Sequence, residues 1–299
     1  MQAARLYGGD VAVTTVPIPE PKAGEARLKI LQGGVCNTDV ELTRGYKGGG
    51  FGGTIGHEFV ARVDKIHCDS AATCHVAEGQ RVVSEINCVP DGCGCRNYHE
   101  RAQHPARAAL GIFKADGAFA EYCIAPIVNL HAVPDSLTND QAVFTEPLAA
   151  ACQITQQVHF SSGDRVAVVG TGKLGVLICQ AIAAIGDCDV TAFGRREANF
   201  PLFAKRGIKT RLVASIEQHD ALFDVVVDCT GNAAGFDTAL NLVKPRGKLV
   251  MKSTFDGPTP ANLTKVSKAE MSNRARAAHP QLMRSAVSVS YTHLRAHET

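Results

Sequence analysis

The chain has 299 residues, 45% of them hydrophobic and 20% charged, with a formal net charge of +2 at neutral pH. That balance fits a globular protein of about two domains. It gives no electrostatic footprint for nucleic acid or an anionic membrane, and no apolar run approaches the roughly 18 residues that span a bilayer. Eleven cysteines, an odd number spread along the chain, suit thiols and metal ligands in a reducing compartment better than a disulfide framework. Residues 1–13 carry one early arginine and lack the continuous apolar stretch of a signal peptide. The expected location is the cytoplasm.

In chain order, residues 1 to about 150 read as short β segments punctuated by glycine and proline. Pro17, Pro19 and Pro21 mark an extended opening. The clearest strands are predicted at 27–31, 59–66, 81–86 and 119–124, with a glycine-rich loop at 45–56. From Asp164 the pattern becomes strand–helix alternation, which predicts a parallel sheet covered by helices. Strands are expected at 165–169, 189–193, 224–228 and 248–252, and helices at 174–185 and 233–242. The division predicted is 1–150, 151–265, and an atypical tail, 266–299.

Gly170, Thr171, Gly172, Lys173, Leu174 and Gly175 follow the apolar run 166–169 and open an apolar segment of helical period. A buried strand feeding a glycine turn and a helix N-terminus binds a dinucleotide pyrophosphate. Gly170 permits the tight turn, Gly172 lets the backbone approach the phosphates, and Gly175 lets helix and strand pack closely. NAD-binding chains of this kind place an acidic residue about 20 positions further on, against the ribose 2′-hydroxyl. Here the second strand ends in Gly194, Arg195 and Arg196. Two guanidiniums in place of the acid favour a 2′-phosphate, hence NADP over NAD; a solvated pair of loop arginines is the alternative. Thr230, after the strand ending at Asp228, falls at the carboxyl edge where the nicotinamide half belongs.

The first half supplies Cys36, His57 and Glu146, one thiolate, one imidazole and one carboxylate, a zinc set with its fourth position open. Alone, each is more often a buried or satisfied side chain than a ligand. Their settings are Gly34-Val35-Cys36-Asn37-Thr38-Asp39, Gly56-His57-Glu58 and Thr145-Glu146-Pro147-Leu148-Ala149. With these blocks and the glycine turn in this order, the chain resembles the zinc-dependent medium-chain dehydrogenases, particularly the threonine and polyol dehydrogenase branch, from about residue 1 to about residue 255.

The resemblance implies a GroES-like, mostly-β catalytic domain followed by a doubly wound Rossmann domain, an α/β fold overall. It implies one catalytic zinc, held by Cys36, His57 and Glu146, with Glu58 able to approach the metal during exchange. It also implies that Asp39 accepts the second ring N–H of His57 and that Thr38 passes the alcohol proton outward. Relatives often carry histidine three residues beyond that hydroxyl; this chain has Glu41. The activity implied is hydride transfer between a small secondary alcohol, of polyol, hydroxy amino acid or cyclitol type, and NADP or NAD. The implied assembly is a homodimer or homotetramer. Two other readings stay open: a zinc-free NADPH-dependent quinone or enone reductase, and a non-catalytic NADP-binding redox sensor.

Many relatives also close a structural zinc site with C-x2-C-x2-C-x7-C. This chain has Cys88, Cys93 and Cys95, with His99 or His104 as the candidates for a fourth ligand. The spacing departs from that pattern, and the reading is a lobe held by packing without a metal. Cys68 and Cys74 receive no role, and Cys123, Cys152, Cys179, Cys188 and Cys229 read as small apolar residues. Beyond about Lys265 no sixth sheet strand is found, residues 271–284 read as a basic helix with few apolar positions, and 289–299 read as an adapter-derived string set aside from fold reasoning.

Overall fold

Gly8 and Gly9 hold positive φ angles of 57° and 101°, and their two-residue turn joins β1 (Gln2–Tyr7) to β2 (Asp10–Thr15) as an antiparallel hairpin. No strand is predicted ahead of residue 27, so this hairpin is an addition. The computed structural model describes residues 1–46, 51–68, 74–90, 92–95, 98–217, 223–252 and 270–273. The chain divides into two compact units at Ala150/Ala151. Part of the predicted glycine-rich loop, 47–50, lies outside the described residues.

The first unit continues with β3 (Glu25–Gly34), α1 (Asn37–Thr43), β4 (Glu58–His67), β5 (Arg81–Ser84), β6 (Asn87–Cys88) and α2 (Tyr98–Gln103). Then come β7 (Ala108–Leu110), β8 (Lys114–Ala115), β9 (Tyr122–Pro126), β10 (Leu130–Ala132) and α3 (Asn139–Ala142), and α4 (Thr145–Gln157) runs through the division. Five strands form an antiparallel sheet in the order β10-β5-β4-β3-β9. Alternate residues of its strands, among them Leu28, Phe59, Ala61, Val63 and Val82, form one buried cluster with Leu130. The predicted strands at 81–86 and 119–124 are shorter or displaced: β5 ends at Ser84 and β9 begins at Tyr122.

The second unit alternates: β11 (Arg165–Val169), α5 (Lys173–Ile185), β12 (Asp189–Gly194), α6 (Phe200–Ala204), β13 (Lys209–Leu212), β14 (Phe223–Asp228), α7 (Ala233–Leu242), β15 (Val243–Met251) and β16 (Glu270–Asn273). The sheet order is β13-β12-β11-β14-β15-β16, and every pairing is parallel. Val166, Ala167, Val168 and Val169 are all essentially inaccessible, as a central parallel strand covered on both faces requires. The chain winds outward from β11 to β13, returns to β14 on the other side, and winds outward again. The order therefore reverses between β11 and β14, at whose carboxyl ends ligands of such sheets bind.

β16 corrects the expectation that no sheet strand lies beyond about Lys265: Glu270–Asn273 pairs with β15 from Lys248 to Met251. Its Glu-Met-Ser-Asn sequence has neither β-branched residues nor clear alternation, so backbone pairing alone reveals it. Residues 271–273 are thus strand and not the predicted helix; the rest of that helix and the closing string lie outside the described residues. Among the described residues no helix is long and apolar enough to cross a membrane.

Candidate active site

β3 and β4 run antiparallel with Gly34 opposite Glu58, so the end of one strand and the start of the other bring Cys36 beside His57 and Glu58. Cys36 is the N-cap of α1, with extended backbone. Three residues on, Asp39 makes two contacts at once. Its Oδ2 accepts the Cys36 backbone N–H at 2.8 Å, and its Oδ1 lies 3.2 Å from His57 Nδ1. Asp39 and His57 are each only 3% exposed, so the pair is shielded from bulk water. A carboxylate so placed behind an imidazole favours the proton on Nδ1, which makes Nε2 available as a donor. Gly34 makes room for Glu58: a Cβ there would stand 2.8 Å from Glu58 Oε2.

The ligating atoms of Cys36, His57 and Glu58 all lie within 4.8 Å of one another. A thiolate, an imidazole and a carboxylate are the donors that zinc takes. Burial works against a charged His57, but hydrogen bonds with Asp39 and Cys36 and the Glu146 charge outweigh it and hold its pKa well above the ordinary imidazole value. The donor set thus favours positive charge at its centre, which suits a divalent metal. Glu146, half-buried in the first turn of α4, acts on His57 by charge and stands outside the cluster of three. The structure therefore gathers Cys36, His57 and Glu58 and sets Glu146 further out. Thr38 Oγ1 is 3.6 Å from Cys36 Sγ. Glu41, at the outer relay position, pairs with Arg44 at 2.8 Å.

In the second unit, the glycine turn has the form its sequence implies. Gly170 takes φ 116°, and a Cβ there would press on the Cys229 carbonyl at 3.1 Å. A Cβ on Gly175 would collide with the Gly170 carbonyl, so helix and strand meet only because both positions are glycine. Gly172 is the N-cap of α5 and has open space where a side chain would be. Its missing side chain leaves the first-turn N–H groups beside Lys173 and Leu174 to a ligand, with the helix dipole favouring an anion.

At the end of β12, a Cβ on Gly194 would stand 2.6 Å from Thr171 Oγ1 and 2.9 Å from Phe200 Cε1. A side chain at position 194 would therefore force Thr171 or Phe200 to shift, while Arg195 and Arg196 beyond it are exposed. Asn199, which the sequence reading passes over, donates to the Thr171 carbonyl at 2.7 Å and anchors the turn. Thr230 donates from its N–H and its hydroxyl to Asp228 Oδ1 at 2.9 and 2.8 Å.

The cysteine-rich lobe is tied to the sheet by a buried polar network. Arg101 of α2 reaches Glu85 Oε2 at 3.4 Å and hydrogen-bonds Asn129 Oδ1. Glu85 Oε1 meets His131 Nε2 at 3.0 Å, and Glu85 is 2% exposed. Cys88 is a neutral thiol, its pKa pushed up to about 12 by burial. Cys93 and Cys95 form a separate half-exposed pair. His104 accepts from the Ala106 N–H at 3.1 Å, and the His99 side chain lies outside the described residues. Cys68 and Cys74, which receive no role in the sequence reading, are joined in a disulfide with their Cα atoms 6.4 Å apart. Cys123, Cys152 and Cys179 are buried as expected of small apolar residues, whereas Cys188 and Cys229 are half-exposed.

Residues 22–135 match the alcohol dehydrogenase GroES-like domain family. L-threonine 3-dehydrogenase of Xanthomonas oryzae pv. oryzae (strain MAFF 311018) is 32% identical over 256 residues, covering 79% of this chain and 72% of that protein. Galactitol-1-phosphate dehydrogenase from Escherichia coli superposes with a TM-score of 0.83 at 20% identity, covering 98% of this chain and 89% of that one. Glucose dehydrogenase of Haloferax mediterranei, solved with NADP, zinc and gluconolactone, gives 0.80 at 20% identity, with 98% and 89% covered. The two structures show a shared fold. The class is thus a GroES-like domain joined to a parallel-sheet nucleotide domain. The chain belongs to the zinc-dependent medium-chain dehydrogenase family of alcohol dehydrogenases, and it is an oxidoreductase acting on alcohols.

Proposed function

We propose that this protein transfers a hydride between a secondary alcohol, of polyol, hydroxy amino acid or cyclitol type, and NADP in preference to NAD, using one catalytic zinc. The observation that carries the reading is the donor set itself: Cys36, His57 and Glu58 within 4.8 Å of one another, with Asp39 behind the imidazole. Glu146 is the fourth protein group of the proposed site. Bound zinc would supply the Lewis acidity that lets an alcohol ionise near neutral pH, and the nicotinamide would accept the hydride.

The chain's own residues do the rest. Asp39 holds His57 in one tautomer and fixes the Cys36 backbone, so both donors are oriented before any ligand arrives. The Thr38 hydroxyl, beside Cys36 Sγ, is the group to take the alcohol proton. Glu41 is engaged by Arg44, so water is the carrier from Thr38 to solvent in this reading. The Gly170–Gly175 turn holds the pyrophosphate on backbone N–H groups, with Lys173 adding charge, and Thr230 lines the nicotinamide end. Arg195 and Arg196 grip the 2′-phosphate as paired guanidiniums. The support for NADP is that β12 ends on Gly194, with no carboxylate to repel a 2′-phosphate, followed by two exposed arginines.

The reading is tested by oxidation of a panel of polyols, hydroxy amino acids and cyclitols by zinc-loaded protein with each cofactor. The expected result is turnover on one of these classes with a higher kcat/KM for NADP. Equal efficiency with NAD would remove the cofactor assignment, and turnover unchanged by complete zinc removal would remove the metal.

A further inference from the structure

Outside the proposed zinc set, two thiols stand together where neither the mechanism nor the core uses them. Cys93 and Cys95 flank Gly94 and are both half-exposed. Gly92 and Gly94 hold φ angles of 67° and 70°, and among the described residues a Cβ on either would meet nothing within 4 Å. The curl between the two glycines is closed by the Cys95 N–H, which donates to Cys93 Sγ at 3.4 Å, and by the Cys93 N–H on the Pro90 carbonyl at 3.3 Å. Both contacts are local, so the pair sits on its own small turn. Cys88 does not join it: its thiol is directed to the Ile86 carbonyl at 3.8 Å. Among the described residues, the one group of three or more ligands able to hold a metal is Cys36, His57 and Glu58.

The pair is also asymmetric. The hydrogen bonds from the Cys95 thiol and backbone N–H favour the Cys93 thiolate, with the Arg101 charge adding to them, and lower its pKa. The same proton, held toward Cys93, raises that of Cys95. A half-exposed thiol that accepts from its neighbour two residues on, and is the more acidic of the two, is the arrangement of an attacking and a resolving cysteine.

We propose that Cys93 and Cys95 form a dithiol site that exchanges with small disulfides of the glutathione type. Cys93 thiolate attacks one sulfur of the small disulfide; its S–S bond breaks, one thiolate leaves, and a mixed disulfide forms at Cys93. Cys95 then gives up its proton and attacks Cys93 Sγ, releasing the second small thiol. The net change oxidises two protein thiols to a Cys93–Cys95 disulfide and reduces one small disulfide to two thiols. The site is independent of the alcohol-oxidising reading, since none of its residues belongs to the zinc or dinucleotide sets.

The test is exposure of the zinc-loaded protein to oxidised glutathione, followed by alkylation and peptide mass analysis. The peptide holding Cys93 and Cys95 should lose two hydrogens, and Cys95→Ser should trap one glutathione on Cys93. With iodoacetamide alone near neutral pH, Cys93, whose pKa is lowered, should react faster than half-exposed Cys188, whose pKa is raised by burial. Cys93→Ser should abolish the fast reaction and leave circular dichroism and alcohol turnover unchanged. Alkylation of Cys93 at the rate of Cys188 would overturn the proposal. So would a second equivalent of zinc that protects both thiols and is lost in Cys93→Ser.

Discussion

Asp39 and His57 face each other at 3.2 Å in a place closed to solvent, and the other oxygen of the same carboxylate holds the backbone of Cys36. One side chain thus sets the position of two proposed metal ligands. Asp39→Asn keeps the shape but replaces the ring's charged acceptor. Losing such a partner costs roughly 10–100-fold in metal affinity. Chelator competition should show a loss of that size, with kcat/KM falling in parallel when zinc is limiting. Unchanged zinc affinity would mean that Asp39 serves only to cap α1.

The proposed preference for NADP rests on the end of β12. Arg195→Ala with Arg196→Ala would remove the two proposed charge-assisted contacts, each worth about 1.5–3 kcal/mol. The kcat/KM ratio of NADP to NAD should drop at least about tenfold. Gly194→Asp should not simply convert the enzyme to NAD. Its Cβ would press on Thr171 and Phe200, a strain of roughly 1–3 kcal/mol. The variant should unfold at lower urea concentration and bind both cofactors worse.

The two ends of β14 respond to pH in opposite senses. The Lys244 ammonium holds the Asp224 pKa below the ordinary carboxylate value, helped by the Arg165 backbone N–H. Its stabilisation is present above about pH 3.9 and is lost as pH falls through the lower folded value. Burial raises the Asp228 pKa, against the hydrogen bonds from Thr230. Its contribution is complete below about pH 3.9 and is lost as pH rises through the raised folded value. Near neutral pH, Asp224→Asn should lose about 1 kcal/mol and Asp228→Asn should gain stability. Both differences should shrink toward zero at strongly acid pH in urea titrations.

Much of the second unit was legible because period and punctuation agree there. β11 and α7 fall where their apolar patterns put them, and the glycine turn sits between strand and helix. The first unit hid more. Gly8-Gly9 between alternating residues is a hairpin signal that was present and passed over. α1 begins on a cysteine cap without the usual Ser, Thr, Asp or Asn, and it is only one residue longer than α2. α4 could have been read from Pro147 in its first turn. At the site, the spacing of Cys36 and Asp39 is that of a capping box, which would have disclosed the second contact of Asp39. The distance from Glu146 to the other donors was not legible, because it depends on where α4 starts in space.

The lobe carrying Cys88, Cys93 and Cys95 is fastened by Arg101 to Glu85 and Asn129. Arg101→Met leaves the buried Glu85 carboxylate facing His131 without the guanidinium. Breaking such a pair costs about 3–5 kcal/mol, and the urea midpoint should fall accordingly. A fall of similar size on chelation alone would instead point to a metal holding the lobe.

Cys36, His57 and Glu58 are proposed to hold a zinc on which alcohol oxidation depends. The most direct measurement is zinc content and NADP-linked turnover of Cys36→Ala beside the parent protein, both checked for folding by circular dichroism. A folded Cys36→Ala should lose the metal and nearly all turnover, while the parent should bind zinc stoichiometrically. A folded variant that keeps its zinc and oxidises alcohols at the parental rate would contradict it.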